Sequence, residues 1–409
     1  MINVGKALQA AGIVFRLLHC GPSPIPLNTR RSGVYQGISF QYTTAVRRPG
    51  SFVARLFVYL WGITELTLRL VRLRLLCNRA AIYLYIMDGP LYLYVACVCR
   101  LLGFPIVQEM CEWFPSFRRS AFSDWLYRKP IFAMATGILV ISRLIDRRVR
   151  ERSALANPDL QIYALPSLVD SRRFIEAAPL EENGADAVPD FVWCGIGYTE
   201  DILFLVRVLA LVNREGYRCR LRVLSAAFLG WGPDMIRDCA RKHGLPPDSI
   251  HLMGCVDDRT LESCYKSAAA LLLPLWDDDR SRTRMPNKLA EYLASGRPVI
   301  TSGVGDLLDF LVDGVNAYVG NPGDERNFAN NMIAVLRDPC RATQIGADGQ
   351  RTCIERMDYR SQIDGLAGYF INCIEGRKNV RRYQDAAGDV ARPARADVPH
   401  CGAASSEGA

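Results

Sequence analysis

Residues 269–302 restrict the fold of this chain more than any other stretch. Two runs, AALLLPL (269–275) and PVITS (298–302), are of strand length and almost wholly apolar. Such runs suit strands buried on both faces, as in a parallel sheet. Between them lies MPNKLAEYLASG (285–296). Pro286 suits the first helical position, where its missing N–H costs nothing. Gly296 suits the C-terminal cap, and Pro298 prevents continuation. Leu289, Tyr292 and Leu293 recur at i, i+3 and i+4 as a core-facing stripe, with Lys288 and Glu291 on a neighbouring face. A strand–helix–strand unit of this length joins parallel strands by a crossover.

The same alternation extends along the chain and predicts an α/β protein with parallel sheets and helices on both faces. Residues 1–174 read as one Rossmann-like domain. It opens on a helix (GKALQAAG) rather than on the buried strand expected there, so the domain reads as lacking its first strand. A strand at 13–18 follows. Residues 175–189, acidic and bearing Pro and Gly, read as a linker. Residues 190–357 read as a second Rossmann-like domain, 358–375 as an amphipathic helix, and 376–409 as a disordered tail without apolar periodicity.

Charge divides the chain unevenly. Residues 1–166 hold 21 Lys and Arg against 8 Asp and Glu, a net of +13, and the remainder holds 29 against 34, a net of −5. A basic first half suits an anionic membrane surface, a phosphorylated lipid or nucleic acid. The stretch RLIDRRVRER (143–152) has no interleaved aromatics, so nucleic acid is the least favoured of these. Residues 51–76 form an apolar run broken by Arg55, Glu65, Arg69, Arg72 and Arg74, too charged to cross a bilayer. It reads as one or two amphipathic helices, either facing the core or lying on anionic lipid. The 14 cysteines sit in apolar runs without paired CxxC spacing and read as reduced thiols of a cytoplasmic protein. The 4 histidines form no metal-binding or catalytic pattern.

Lysine in a first helical turn opposes the helix dipole unless an anion binds nearby. At the carboxyl edge of a parallel sheet, where such folds bind ligands, an anion would meet Lys288 and Arg282 or Arg284, while Glu291 suits a hydroxyl-bearing ligand. The plainer alternative is a solvent-facing i,i+3 ion pair. In the first half, Glu109 and Glu112 in QEMCEWFPSF stand at a strand end beside aromatics. They read equally as capping or surface residues.

The segment MPNKLAEYLASGRPVITSGVGDLLDFLVDGVNAYV resembles the nucleotide-sugar-binding segment of family 4 glycosyltransferases of the GT-B fold. That resemblance implies two facing Rossmann-like domains and metal-independent, retaining transfer of a sugar from a UDP- or GDP-sugar, with no cofactor. It implies a glycan or lipid-linked anionic acceptor at the first domain, and a cytoplasmic protein in peripheral contact with the membrane face. It further implies that Asn287, Lys288, Leu289 and Glu291 line the donor site, Glu291 on the ribose. Gly303 and Gly305 match the small-residue loop after the next strand, and Gly195 and Gly197 the glycine turn that faces the phosphates. Thr283 stands where many members carry an acid, and Glu200 and Asp201 stand where cations would grip the diphosphate. These departures leave a second reading, a non-catalytic subunit that binds a nucleotide sugar or a partner enzyme.

Overall fold

The computed structural model describes residues 1–22, 30–86, 88–113, 121–180, 188–195, 199–225 and 233–376. The expected linker core, Gly197 and all but the first residue of the expected tail lie outside them. The first unit opens with α1 (Ile2–Ala10) and β1 (Arg16–His19), then β2 (Ser32–Tyr35) and β3 (Ile38–Tyr42). β1 pairs with β3 in parallel, whereas β2 and β3 form an antiparallel hairpin. Its two-residue turn is Gln36-Gly37, with φ of 48° and 82°, the double left-handed conformation whose twist matches that of paired strands. These three strands form a small sheet of their own, in the order β1-β3-β2, apart from the parallel sheet of the first unit.

The chain continues through α2 (Phe52–Leu76), β4 (Ile82–Leu84), α3 (Gly89–Leu101), β5 (Ile106–Met110), α4 (Ala121–Met134), β6 (Gly137–Val140), α5 (Arg143–Ala156), β7 (Gln161–Ala164) and α6 (Ser171–Ile175). Strands β4 to β7 form a parallel sheet in chain order. Ile106, Ile138 and Ile162 on one face pack with Leu66, Leu70, Val95, Ile131 and Ile145 of the covering helices. Val107, Leu139 and Tyr163 on the other face pack under Val4, Ala7 and Leu8 of α1.

The second unit comprises β8 (Asp190–Cys194), α7 (Thr199–Arg214), β9 (Arg220–Leu224), α8 (Pro233–Lys242), β10 (Ile250–Gly254), α9 (Asp258–Ser267), β11 (Ala270–Leu273), α10 (Asp279–Thr283), α11 (Asn287–Ala294), β12 (Val299–Ser302), β13 (Tyr318–Gly320), α12 (Glu325–Arg337) and α13 (Pro339–Arg356). Its six strands are all parallel in the order β10-β9-β8-β11-β12-β13. The chain works outward from β8 on one side, then restarts at β11 on the other. The crevice between the carboxyl ends of β8 and β11 is therefore a topological switch point, where open α/β sheets bind ligands.

The last helix, α14 (Ile363–Glu375), returns to the first unit, where Leu366, Tyr369, Phe370 and Cys373 close the core over Val107 and Tyr163. Gly137 permits this approach, because a Cβ there would lie 2.2 Å from the Tyr369 hydroxyl. In the opposite sense Phe174 of α6 enters the second core and stacks on Tyr265 at 5.9 Å.

Candidate functional site

The switch point is built from the loops that leave β8 and β11. After β11, Trp276 donates its Nε1–H to Oδ1 of Asp201, at 2.9 Å, tying this loop to the first turn of α7. Burial pushes the Asp201 carboxyl up to about 6, and the Trp276 hydrogen bond and the Arg284 and Arg280 guanidinium groups only partly offset it. The Arg-rich stretch that follows is not a loop. Asp278 caps α10 by accepting from Ser281 N at 2.6 Å. Arg280 lies within α10 and Arg284 is its extended C-cap residue (φ −119°, ψ 158°), and both come within electrostatic reach of Asp201. Arg282 points elsewhere and pairs with exposed Asp277 at 2.6 and 2.8 Å. From the first unit, Glu112 beyond β5 comes within electrostatic reach of the same two arginines. Burial raises its carboxyl, and Arg284 and Arg280 counter only part of that rise.

The second wall is the start of α11. Pro286 proves to be the N-cap (φ −63°, ψ 129°) and not the first helical residue, so Asn287 is first and Lys288 second. Gly296 has φ 75°, the left-handed conformation that follows a helix end. Lys288 Nζ donates to Glu291 Oε2 at 2.8 Å, and the Tyr265 hydroxyl lies 3.5 Å from the same oxygen. Burial alone would depress the Lys288 ammonium, but the Glu291 carboxylate and the Cys194 thiol hold it above its ordinary value. Cys194, the last residue of β8, donates its N–H to the Tyr292 hydroxyl at 2.8 Å. The Lys288–Glu291 pair therefore stands beside Gly195, where the turn after β8 begins. A Cβ on Gly195 would lie 2.6 Å from the Trp193 ring.

Other expected residues divide in two. Gly305 has φ 58°, and a Cβ there would come within 3.0 Å of the Arg282 carbonyl, so the loop after β12 rests against α10. Gly303 lies in the same loop, with its N–H donating to the Gly320 carbonyl at 2.9 Å. Asn287 Oδ1 accepts from the Ser167 hydroxyl at 2.5 Å. Leu289 is a correction: its side chain is fully buried in the second core and its N–H donates to Pro286 O at 3.0 Å, so it is a packing residue. Thr283 turns its hydroxyl back onto the carbonyls of Asp279 and Arg280. Glu109 accepts from the Tyr83 hydroxyl within the first unit. Trp113 is buried beneath Arg148 and Arg152, whose guanidinium carbons lie 5.4 and 5.1 Å from its ring centre, so it offers no stacking platform. Among the described residues no cluster of His, Cys, Asp or Glu is arranged to hold a metal ion.

The residues overlooked in the sequence are Arg280, Trp276 and the pair that joins the units, Arg143 and Asp306. Arg143 at the start of α5 donates its backbone N–H and its Nε to Asp306, at 2.5 and 3.2 Å. Beside it the Ser142 hydroxyl donates to Thr283 O at 2.7 Å. The available signal for Arg280 was Asp278 read as a helix cap, which places Arg280 in a first helical turn.

Two parallel sheets covered by helices, the second with a switch point between β8 and β11, define a GT-B fold. The sucrose-phosphate synthase of Thermosynechococcus elongatus is similar over 91% of this chain and 92% of its own, at 15% identity and a TM-score of 0.67. A glycosyltransferase of Rickettsia africae aligns over 91% and 94%, at 12% identity and 0.64. HepE of Anabaena, in complex with UDP-glucose, aligns over 83% and 86%, at 11% identity and 0.58. At such identities the likeness is one of fold. Residues 189–338, the second unit, match the family model described as Glycosyl transferases group 1. No functionally curated protein matches the sequence.

Proposed function

We propose that this chain transfers a sugar from a UDP- or GDP-sugar to a glycan or lipid-linked acceptor, with retention at the anomeric carbon and without a metal. The observation that carries this reading is the Lys288–Glu291 pair beside Cys194 at the end of β8, with Arg280 and Arg284 within electrostatic reach of Asp201 at the start of α7. A leaving nucleoside diphosphate demands positive charge aimed at its developing oxyanions, and preorganised cations supply it. Glu291, held by Lys288 and Tyr265, takes the ribose hydroxyls, and Gly195 and Gly305 let backbone approach the diphosphate. The group 1 glycosyltransferase match over 189–338 and the UDP-glucose held by HepE support a nucleotide-sugar donor. Glu112, reaching from the first unit toward the same arginines, is the residue placed to meet an acceptor hydroxyl.

Calorimetric titration of the full chain with UDP and GDP tests the donor site. Arg284→Ala, Lys288→Ala and Glu291→Ala are each expected to weaken nucleotide binding by about tenfold or more, one lost charge-assisted hydrogen bond being worth about 1.5–3 kcal/mol. Arg282→Ala, its partner already Asp277, is expected to bind normally. Unchanged affinity in the first three variants would overturn the assignment. Glu112→Gln is expected to keep donor binding and to lose transfer.

A further inference from the structure

The first unit carries a helix with two apolar stripes, of which only one is covered. Along α2, Gly62, Leu66 and Leu70 are buried, and Gly62 sits so close to the turn after β3 that a Cβ would meet Thr44 Cγ2 at 2.3 Å. At 100° per residue, Val53, Phe57, Leu60, Thr64, Leu68, Val71 and Leu75 recur every three or four positions on the opposite side. Phe57 is 70%, Leu68 61% and Leu75 80% exposed, and Trp61 beside them is 62% exposed. No residue before Gly62 on this helix is fully buried, although Ala54 and Val58 are half-buried, so its first turns expose their outer side. The lone acid of the helix, Glu65, is matched by Arg69 one turn on. That leaves exposed Arg72 flanking the stripe, with exposed Arg47 and Arg48 just ahead, as net positive charge, whereas Arg55 lies on the covered side and Arg74 packs on Phe104.

We infer that α2 is a membrane-docking helix that lies in the surface of an anionic bilayer. The exposed stripe buries among acyl chains while the arginines meet lipid phosphates, the arrangement that binds interfacial helices. No described helix is long and apolar enough to cross a membrane, so this helix lies on the surface and does not span. A second copy of the chain fits the face poorly, since pairing two such faces would bring together two first halves of net charge +13. Tyr59, on the first turns of α2, has its phenol raised by burial and then by the Asp88 carboxylate, and Asp88 caps α3 beyond the carboxyl end of β4. The docked turns thus lie at the same end of the first sheet as Glu112. A chain held this way presents its acceptor side to lipid. That consequence rests on the proposed transfer reaction, but the docking does not.

Flotation of the full chain with vesicles tests the inference. Wild-type protein is expected to float with mixed phosphatidylglycerol–phosphatidylcholine vesicles and to stay down with phosphatidylcholine alone, with binding weakened by salt. Phe57→Glu/Leu68→Glu is expected to lower the bound fraction at least tenfold, and Arg47→Gln/Arg48→Gln/Arg72→Gln to remove the salt dependence. All these positions are exposed, and an unchanged melting temperature verifies folding. Wild-type protein left unbound by anionic vesicles would overturn the inference, as would full binding of the Phe57/Leu68 variant. So would a wild-type dimer in sedimentation that this variant dissociates, which assigns the face to a second copy. UDP titration of the same variant is expected to match wild type, so failure of the donor site and failure of docking give different results.

Discussion

Asp201 shows how one residue can set both the stability and the ligand preference of the switch point. Its carboxyl titrates near 6 in the folded chain against 3.8 ordinarily, because burial disfavours the charge more than Trp276 and the two arginines favour it. Between those values the folded chain keeps a proton that the unfolded chain has released. Stability therefore falls as pH rises through the window, by at most about 3 kcal/mol. Asp201→Asn keeps an acceptor for Trp276 and loses the charge. It is expected to flatten this fall and to be the more stable protein at neutral pH, as urea denaturation across the window would show. Above about pH 6 the wild-type carboxylate also competes with an anionic ligand for Arg280 and Arg284. The Asn variant is accordingly expected to bind UDP more tightly at neutral pH, which calorimetry would read directly.

At the scale of elements, the short helix α10 and the loop after β12 hold each other in place. Gly305 combines φ 58° with backbone of Arg282 at 3.0 Å from where a Cβ would sit. Gly305→Ala is expected to cost about 1–3 kcal/mol of stability and, by displacing α10 with its arginines, to weaken UDP binding as well. Gly303→Ala meets the side chains of Val319 and Leu308 at 3.2–3.3 Å and the Gly320 carbonyl at an ordinary 3.7 Å, and is expected to cost less. Thermal melts and titrations of the pair would separate the two effects. These elements also mark what the sequence conveys. The helix α11 announces itself by Pro286, Gly296 and a stripe over eight residues, a pattern only a helix satisfies. The five residues of α10 are too few to show a period, so its arginines read as a loop alternating at 280, 282 and 284. The structure instead holds 280 and 282 in a short helix, turns 282 onto Asp277, and leaves 284 as the extended residue after the helix. Leu289 was misassigned for a related reason: a conspicuous motif contains packing residues as well as contacting ones, and its i,i+3/i+4 relation to Tyr292 and Leu293 was the truer guide.

The relation between the two units depends on contacts more than a hundred residues apart in sequence, beyond the reach of local pattern. Each parallel sheet follows from alternating apolar runs and capped helices, but nothing local to Arg143 or Asp306 announces their pairing. Asp306 is buried and accepts both the backbone N–H and the Nε of Arg143, whereas Asp309 meets the half-exposed guanidinium at 2.8 Å. A partly exposed ion pair contributes at most about 1 kcal/mol, while Asp306 also accepts the backbone N–H of Arg143, a hydrogen bond to a charged group worth about 1.5–3 kcal/mol. The link should therefore fail at Asp306 before it fails at Asp309. Asp306→Ala is expected to loosen the two units and enlarge the radius of gyration in solution scattering, with Asp309→Ala close to wild type. Since Thr283 O accepts from Ser142 and Arg284 follows it, the same loosening removes Glu112 from the arginines of α10. Transfer is thus expected to fall more than UDP binding in Asp306→Ala, because the second unit keeps its own donor residues while the facing carboxylate is withdrawn.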